Sequence, residues 1–329
     1  MTFLVGTRGS RLSLAQTNWV ISELQKQNPG SEFEIKTITT KGDTDTRALF
    51  TIDQKGIFEK EIDKAVAEKQ IDFAVHSLKD VPSDIAKSLT IACIPKREPV
   101  NDVFITNDGS NLQTVQSGAV IGTSSLRRAV QISRIRPDVV VKPVRGNIET
   151  RINKVTDGKF DGIVLAQAGI SRLGLDVKHS VLSTKDFPPS PGQGALAIIC
   201  RTDDDKTISM LKKIEDKKSR MEIEAERTLS EYVESGCRFP VGALGIANSS
   251  VLKLTVAAYS VDGKKSVIIE KTGDIDKPKN LGQEIGEELK KSGITEIASN
   301  WRESLDECCL LYTSPSPRDV EESRMPSSA

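Results

Sequence analysis

The chain has 329 residues, more than one ordinary core supports, so its length predicts two or three domains. Lys plus Arg equals Asp plus Glu at 46 each, which excludes a global electrostatic field that would attract nucleic acid or an anionic membrane surface. Its 37% apolar and 28% charged residues are typical of a soluble globular protein, and no apolar stretch approaches the ~18 residues of a membrane span.

The first half of the chain alternates strand-like and helix-like segments, which indicates βα units around a sheet. Its first strand begins almost at the N-terminus, with neither the charged nor the apolar region of a secretory signal, so we expect a cytoplasmic protein. The predicted elements are, in chain order, a strand over 3–7, a helix over 10–27 that Ser10 can cap, a strand over 33–39, a polar loop over 41–56 that can move above a site, a helix over 57–69 and a buried strand over 72–77.

A similar arrangement recurs about 115 residues further along the chain. Residues 5–16 match 121–131, because each has a strand, a Gly-Thr pair, a Ser that can cap and then a helix. Residues 61–80 match 151–169, since each has a helix that leads into a strand headed by Asp. The general similarity of βα units explains such matches equally well. If the repeat is real, two related α/β lobes face a cleft.

A break falls at 187–195, FPPSPGQGA, where Pro and Gly concentrate as they do at hinges and domain crossings. Beyond it the pattern favours a small α+β domain, with Cys237 in the loop at its entrance. The end of the chain lacks periodicity and is expected to be disordered or foreign sequence. The predicted elements after the break are a strand over 195–200, helices over 207–214 and 219–234, strands over 241–246, 251–259 and 265–272, and helices over 279–291 and 294–304.

Basic residues are concentrated in the segment 121–151, which has seven Lys and Arg against two acidic residues. Arg127 and Arg128 follow GTSS at a predicted helix start, where free backbone N–H groups and the helix dipole favour an anion. Arg145 comes after another predicted strand, and guanidinium groups at strand ends suit the capture of carboxylate or phosphate. The sequence therefore predicts a polyanionic ligand in the cleft.

Other charged residues can be explained by a simple position on the surface. Arg134 and Arg136 are interpreted as a solvated helix face, where an ion pair contributes only about 0 to 1 kcal/mol. An isolated Lys-Asp pair would be read in the same way, but Lys79 and Asp80 directly follow a buried strand and precede Pro82, which stiffens the turn. In that position the lysine can hold an anionic group while the aspartate handles a cation or a proton.

Cysteine and histidine usage limits the possible chemistry. The five cysteines are an odd number, so a disulfide framework is not expected. Only His76 and His179 are present, without CxxC or HExxH spacing, so no metal site is expected. Cys237 lies between a glycine and an arginine in a polar turn, whereas a structural thiol normally lies in an apolar run.

Eight motifs, in order along the chain, resemble those of the porphobilinogen deaminase family, also called hydroxymethylbilane synthases. The resemblance runs from about residue 3 to about residue 303. The motifs are GTRGSRLSLAQ, KGIFEKE, VHSLKDVP, GTSSLRR, VRGNIETR, GISRLGL, PGQGA and GCRFPVGA.

The resemblance implies an enzyme that joins four porphobilinogen molecules head to tail, with loss of ammonia, and releases the linear tetrapyrrole hydroxymethylbilane by hydrolysis. It implies a dipyrromethane cofactor, made from two porphobilinogen units and held by a thioether to Cys237. Ser235 stands where family members commonly have glycine, a departure that leaves the role of the cysteine intact. Asp80 matches the catalytic carboxylate, which can stabilise the cation formed as ammonia leaves.

The resemblance also implies how the ligands are bound. Each pyrrole carries an acetate and a propionate, so a growing chain accumulates carboxylates that arginine can pair with. The residues matched to cofactor binding are Cys237, Lys79, Asp80, Ser125, Arg127 and Arg128. Those matched to the substrate and the growing chain are Arg8, Ser10, Gln16, Arg145, Arg151 and Arg172. Lys55 and Phe58 lie in a segment that resembles the lid of the family, which can shield the reaction from water.

The implied fold has two α/β lobes like those of periplasmic binding proteins and a smaller C-terminal α+β domain that carries the cofactor. Members of the family are usually monomers that bind porphobilinogen, and no nucleic acid or membrane partner is expected. The expected division is a first lobe over 1–98 plus about 194–215, a second lobe over 99–193, the cofactor-carrying domain over 216–305 and a disordered or foreign tail over 306–329.

Two other functions compete with this one. A two-lobed solute-binding module would use the same anion-binding helix starts, but it has no use for Cys237 or Asp80, and an exported module would carry a signal peptide. A cysteine hydrolase would need His76 or His179 beside the thiol, and neither histidine occurs in a motif that indicates this.

Overall fold

The computed structural model describes residues 2–44, 59–233 and 240–293. The strands are β1 Thr2–Thr7, β2 Glu32–Thr37, β3 Phe73–Ser77, β4 Leu89–Cys93, β5 Asp102–Thr106, β6 Val120–Gly122, β7 Val140–Lys142, β8 Gly162–Ala166, β9 Ser180–Val181, β10 Leu196–Arg201, β11 Val241–Asn248, β12 Val251–Tyr259 and β13 Ser266–Asp274. The helices are α1 Arg11–Gln27, α2 Lys41–Thr44, α3 Lys60–Ala67, α4 Leu126–Ile135, α5 Ile148–Thr156, α6 Gln167–Leu173, α7 Asp205–Leu211, α8 Lys217–Tyr232 and α9 Pro278–Lys291.

Two five-stranded sheets have the same strand order and the same strand directions. The first sheet has the order β2-β1-β3-β10-β4, and the second has the order β7-β6-β8-β5-β9. In each sheet the first three strands are parallel, and the fourth is antiparallel to both of its neighbours. We call the first sheet with its helices the first lobe and the second sheet with its helices the second lobe. This shared topology agrees with the repeat predicted from the sequence.

The repeat extends to individual hydrogen bonds. Asp72 stands just before β3 and accepts a hydrogen bond from the backbone N–H of Leu4 at 2.7 Å. Asp161 stands just before β8 and accepts one from the backbone N–H of Val120, also at 2.7 Å. The Asp that heads each of these strands therefore ties it to the start of the neighbouring parallel strand.

The core of the first lobe explains why its central strands read as continuous apolar runs. One face of the sheet packs against a cluster that includes Leu24 of α1 and Leu211 of α7, both fully buried. The other face packs against Ile62 of α3. A sheet covered on both faces needs apolar side chains in both directions, and every residue of its antiparallel strand β10 is buried.

The third unit consists of the antiparallel sheet β11-β12-β13 with α8 and α9 on one face. Alternate residues of β12, among them Leu252, Leu254 and Val256, are fully buried against these helices. This period of two is the pattern of a strand with one covered face. The prediction of two α/β lobes and a smaller α+β unit is therefore confirmed.

The chain crosses between the lobes in the segments 94–101 and 182–195. A group of buried hydrogen bonds around Glu226, which we call the buried ionic node, joins the third unit to both crossings. Glu226 of α8 is fully buried and accepts hydrogen bonds from Arg97 Nη1 at 2.7 Å and Nη2 at 3.0 Å. The same carboxylate accepts from the backbone N–H groups of Gly192 at 2.7 Å and Gly245 at 2.8 Å. Arg97 Nε donates to the carbonyl oxygen of Gln193 at 2.9 Å.

The predicted elements differ from the observed ones mainly at their ends. The predicted loop over 41–56 begins with the short helix α2, and its remaining residues from 45 onward lie outside the described residues. The predicted helix over 294–304 and the tail over 306–329 also lie outside them. The strand predicted over 195–200 is β10, which joins the first sheet between β3 and β4 although the second lobe precedes it in the chain.

Candidate functional site

A short turn at the end of β3 presents Lys79 and Asp80. The strand is followed by one 3₁₀ turn, Leu78–Asp80, and both charged side chains are half-buried. Leu78 N–H donates to the carbonyl oxygen of Ala195 at 3.0 Å. Gly192, with φ of +74°, packs so closely that a Cβ there would touch the Leu78 side chain and lie 3.2 Å from Lys79 N. The PGQGA segment therefore supports this turn from behind.

The first turn of α4 carries the two neighbouring arginines. Ser125 caps this helix, and its hydroxyl accepts from the backbone N–H of Arg128 at 3.5 Å. Arg127 and Arg128 are both buried. Two buried guanidinium groups side by side repel each other, so they require a counter-charge.

Asp102 supplies that counter-charge. Its carboxylate accepts from Arg127 Nη2 at 2.7 Å, and from Arg128 Nε at 3.1 Å and Nη2 at 2.7 Å. Burial alone would raise the pKa of Asp102, but Arg127 and Arg128 outweigh burial and lower its pKa to about 2. The sequence analysis missed this residue. The signal was an aspartate at the head of the otherwise apolar strand DVFIT, since a buried carboxylate requires a partner.

Lys79 belongs to the same cluster. Burial lowers the pKa of Lys79 below its usual value, and the charges of Arg128 and Arg127 lower it further, whereas Asp80 and Asp102 oppose the shift. Lys79 therefore lies close enough to Asp80, Asp102 and both arginines for their charges to affect its pKa. The structure brings together three cations and two carboxylates from both lobes.

Arg151 and Arg145 extend the basic surface on the second lobe. Burial lowers the pKa of Arg151 to about 10, and repulsion from Arg128 and Arg145 adds to the shift. Arg151 Nε donates to the carbonyl oxygen of Gly146 at 2.8 Å, which fixes its direction. Mutual repulsion of this kind is relieved by a bound anion.

Arg172 lies in the last turn of α6. Its Nη2 donates to the carbonyl oxygen of Gly194 at 2.7 Å. Burial lowers the pKa of Arg172 to about 10, and Glu98 opposes the shift. The arginine therefore borders the PGQGA segment that supports Lys79.

The predicted residues of the first lobe lie at the start of α1. Ser10 caps the helix by accepting from Ser13 N–H at 3.2 Å, and Arg8 is half-buried just before it. Gln16 is buried, and its Nε2 donates to the Ser77 hydroxyl at 2.9 Å. This bond ties α1 to the end of β3, directly before the turn that presents Lys79 and Asp80.

The helix starts of the two lobes face each other. Arg11, in the first turn of α1, forms an ion pair with Glu149 in the first turn of α5. Leu12 also approaches Gly169 of α6. The start of α1 in the first lobe is therefore in contact with α5 and α6 of the second lobe.

Cys237 lies outside the described residues, as do Lys55 and Phe58. The described chain resumes at Pro240, and β11 begins one residue later. Gly242 packs so closely on Pro188 that a Cβ would lie 2.7 Å from the Pro188 carbonyl oxygen. Arg127 Nη1 donates to that same carbonyl at 2.7 Å. The start of the third unit and the arginine pair therefore contact one backbone segment.

The cysteines that the structure describes have no nucleophilic character. Cys93 and Cys200 are fully buried in the core of the first lobe. Burial raises the pKa of both thiols above the usual value, and Glu215 adds to the effect at Cys93. Both therefore stay protonated at neutral pH.

The contacts of the two histidines are structural and require no catalytic role. His76 Nε2 lies 3.1 Å from Asp63 Oδ1, in a buried contact between β3 and α3. His179 is exposed and interacts with the carbonyl oxygen of Val177. Within residues 2–44, 59–233 and 240–293, no group of three or more metal-ligating side chains could hold a metal ion. In the same ranges no helix is long and apolar enough to cross a membrane.

The interpretation as a solvated helix face is wrong for Arg136, whereas Arg134 is exposed on α4, as such a face requires. The Arg136 side chain is only 14% exposed and donates to the carbonyl oxygens of Leu112 and Val115. Arg134 is exposed at its edge, but its guanidinium group donates to Gly263 O and lies 5.2 Å from the centre of the Tyr259 ring. These partners are distant in sequence, so the helix periodicity could not reveal them.

The site has the chemistry to bind a ligand with several carboxylates. Among the described residues, the buried Arg127 Nε has no hydrogen-bond partner. A buried N–H that lacks an acceptor costs about 1–3 kcal/mol, which an arriving carboxylate would recover. With Lys79 and Arg151 nearby, the site has more cations than carboxylates, which suits a ligand with several acid groups.

Two family models match the chain. Residues 3–209 match the model described as porphobilinogen deaminase, dipyromethane cofactor binding domain. Residues 220–291 match the model described as porphobilinogen deaminase, C-terminal domain.

Known relatives and solved structures also align with this chain. A probable porphobilinogen deaminase of Nitrosopumilus maritimus is 67% identical over 307 residues, which is 93% of this chain and 99% of the relative. A porphobilinogen deaminase of Desulforamulus reducens is 41% identical over 300 residues, 91% of this chain and 97% of the relative. Among solved structures, the methionine-binding protein MetQ aligns with a TM-score of 0.41 at 14% identity, over 65% of this chain and 89% of that one.

Proposed function

Because the chain belongs to the porphobilinogen deaminase family, we propose that Cys237 carries its cofactor, that Asp80 is its catalytic carboxylate, and that the buried basic cluster binds its carboxylate-rich ligands. The enzyme is a transferase of tetrapyrrole biosynthesis, which condenses four porphobilinogen molecules into the linear tetrapyrrole hydroxymethylbilane with loss of ammonia. Its cofactor is a dipyrromethane, which when bound supplies the pyrrole terminus to which substrate is added.

Cys237 is the proposed attachment point of the cofactor. The thiolate is the nucleophilic form of cysteine, and an electropositive, accessible position favours it. Cys93 and Cys200 are buried with raised pKa values, which removes them as candidates. The described flank of Cys237 contacts Pro188, the residue whose carbonyl oxygen also accepts from Arg127. This contact supports a cofactor that extends from Cys237 towards the arginine pair.

The cofactor carboxylates are proposed to bind between the first turn of α4 and the 3₁₀ turn Leu78–Asp80. Arg127 offers a buried Nε–H without an acceptor in the described part of the chain. Ser125 caps α4, so the first-turn N–H groups and the helix dipole add to the attraction. The residues assigned to this role are Lys79, Ser125, Arg127 and Arg128, with Asp80 beside them.

Asp80 is proposed to act on the reacting pyrrole. As ammonia leaves porphobilinogen, positive charge develops on the ring and its N–H becomes more acidic. A half-buried carboxylate beside Lys79 can stabilise that charge and accept the N–H hydrogen bond. The turn is held by Ala195 and Gly192, so the carboxylate is preorganised rather than recruited.

The remaining basic residues are proposed to hold the substrate and the growing chain. Arg151 repels its neighbours Arg128 and Arg145, so incoming carboxylates would relieve a strain that is already present. The residues assigned to this role are Arg8, Ser10, Gln16, Arg145, Arg151 and Arg172. Lys55 and Phe58 are assigned to a lid by family resemblance.

We propose the division of the chain as a first lobe over 1–98 plus about 194–215, a second lobe over 99–193 and a cofactor-carrying unit over 216–305. The return of β10 and α7 to the first sheet supports it. The enzyme is proposed to act as a cytoplasmic monomer on porphobilinogen, without a nucleic acid partner. Equal numbers of acidic and basic residues support the last point.

One observation carries these assignments: the buried Arg127 and Arg128 share the carboxylate of Asp102, and Lys79, the neighbour of Asp80, lies close enough for these charges to affect its pKa. The test is the intact mass of the purified protein. Wild type should exceed its sequence mass by two pyrrole units, whereas Cys237→Ser should not. Cys93→Ala serves as the matched control and should keep the added mass. An active wild-type enzyme without added mass would refute the assignment of Cys237.

A further inference from the structure

Asp102 is a fully buried carboxylate that no step proposed above uses. It is the first residue of β5, directly after one chain crossing between the lobes. Its oxygens accept four hydrogen bonds within 3.1 Å: one from Arg127, two from Arg128 and one from Gln193 Nε2 at 3.0 Å. A carboxylate with this many charge-assisted bonds is held in a single geometry.

The two arginines differ in how fully their nitrogens are bonded within the protein. Arg128 donates from Nε and Nη2 to Asp102 and from Nη1 to Val164 O at 3.1 Å. Arg127 donates from Nη2 to Asp102 and from Nη1 to Pro188 O. Its Nε is buried and, among the described residues, has no acceptor. Asp102 and Pro188 therefore fix the two terminal nitrogens of Arg127, and in the described ranges Nε is its donor without an acceptor.

Asp102 itself is fixed from both crossings between the lobes. Gln193 is fully buried, and its Nε2 donates to Val100 O at 2.7 Å as well as to Asp102. Arg97, which belongs to the node with Glu226, donates to Gln193 O. A continuous hydrogen-bonded path therefore leads from α8 of the third unit to the arginine pair.

The charge of Asp102 also permits the cluster to exist in the ligand-free protein. Without it, Arg127, Arg128 and Lys79 would be buried together, and repulsion would turn the arginines towards solvent. Part of the binding free energy of the dipyrromethane would then be lost in bringing the arginines back together.

We propose that Asp102 is a positioning residue, which sets the orientation of Arg127 and Arg128 before the carboxylates of the dipyrromethane arrive. This inference rests on the proposed function of the arginine pair. It assigns Asp102 no contact with substrate, so its loss acts through the arginines.

The test compares Asp102→Asn with Glu226→Gln, which neutralises another fully buried carboxylate of the same network without touching Arg127 or Arg128. Each apo-protein, produced without porphobilinogen, is titrated with porphobilinogen, and the loaded fraction is read by intact mass. Half-loading of Asp102→Asn should require a concentration about thirtyfold higher than wild type, the scale for removing one partner of a buried charge pair. Glu226→Gln, although less stable, should load at wild-type concentrations.

A second variant covers the case in which Asp102→Asn does not fold. Gln193→Met removes one hydrogen bond to Asp102 but no charge. It should shift half-loading in the same direction by about three- to tenfold, the scale of one hydrogen bond. Normal loading by a folded Gln193→Met protein would then overturn the proposal.

The possible outcomes separate this inference from the proposed function. Loading of folded Asp102→Asn at wild-type concentrations would overturn the positioning role alone. Equal loading defects in Asp102→Asn and Glu226→Gln, in proportion to their losses of stability, would also overturn it, because they would indicate a merely structural carboxylate. A wild-type protein that never gains the mass of two pyrroles would instead refute the proposed function itself.

Discussion

Replacing Glu226 with Gln tests whether the buried node holds the third unit against the crossings between the lobes. Gln keeps the shape of the side chain but removes the charge opposite Arg97, whose side chain is only 5% exposed. Removing one partner of a buried ion pair costs about 3–5 kcal/mol, and Glu222 Oε2, at 3.6 Å from Arg97 Nη1, compensates the remaining charge only in part. In either orientation the new amide N–H also faces a donor, Arg97 or the backbone of Gly192 or Gly245.

The assay is thermal unfolding combined with hydrogen exchange. For a chain of this size 1 kcal/mol corresponds to about 2 °C, so the Tm of Glu226→Gln should fall by about 6–10 °C. The amides of Gly192 and Gly245 should exchange faster than in wild type, because they lose their charged acceptor. Glu23→Gln, which breaks an exposed pair with Lys26, is the control and should cost less than about 1 kcal/mol. A Glu226→Gln protein with an unchanged Tm and both amides still protected would refute the reasoning.

Three further outcomes are expected. Asp80→Ala should retain the added mass of the cofactor but consume porphobilinogen at least about a hundredfold more slowly, and a normal rate would remove Asp80 from the mechanism. The pKa of Asp102 is depressed to about 2, so its contribution, roughly 2 kcal/mol, is present above pH 4 and lost as the pH falls towards 2; acid unfolding of Asp102→Asn should be shallower over that range. Arg134→Ala should cost about 1 kcal/mol and speed amide exchange in the turn 260–265, since it removes the contacts with Gly263 and Tyr259; unchanged exchange there would contradict this.

Much of the fold could be predicted because it depends on neighbours in the chain. The apolar period of each segment, the caps Ser10 and Ser125, and the Pro- and Gly-rich break at 187–195 are all local signals, and the observed elements agree with them to within a few residues. Each family motif is likewise a short local string, so the motifs indicated the family without any knowledge of the tertiary structure. The same resemblance assigned both Lys79 and Arg127 to cofactor binding.

The tertiary structure decided which charges meet. Asp102 lies 25 residues before Arg127, and its carboxylate is fully buried against that arginine. Glu226 reaches Arg97 across 129 residues. No periodicity within a segment encodes such partners, because they are selected when separate elements pack and a buried charge must find its opposite. Sequence alone therefore determined which elements form and which chemistry they carry, whereas packing determined how the arginine pair is neutralised, oriented and connected to the rest of the molecule.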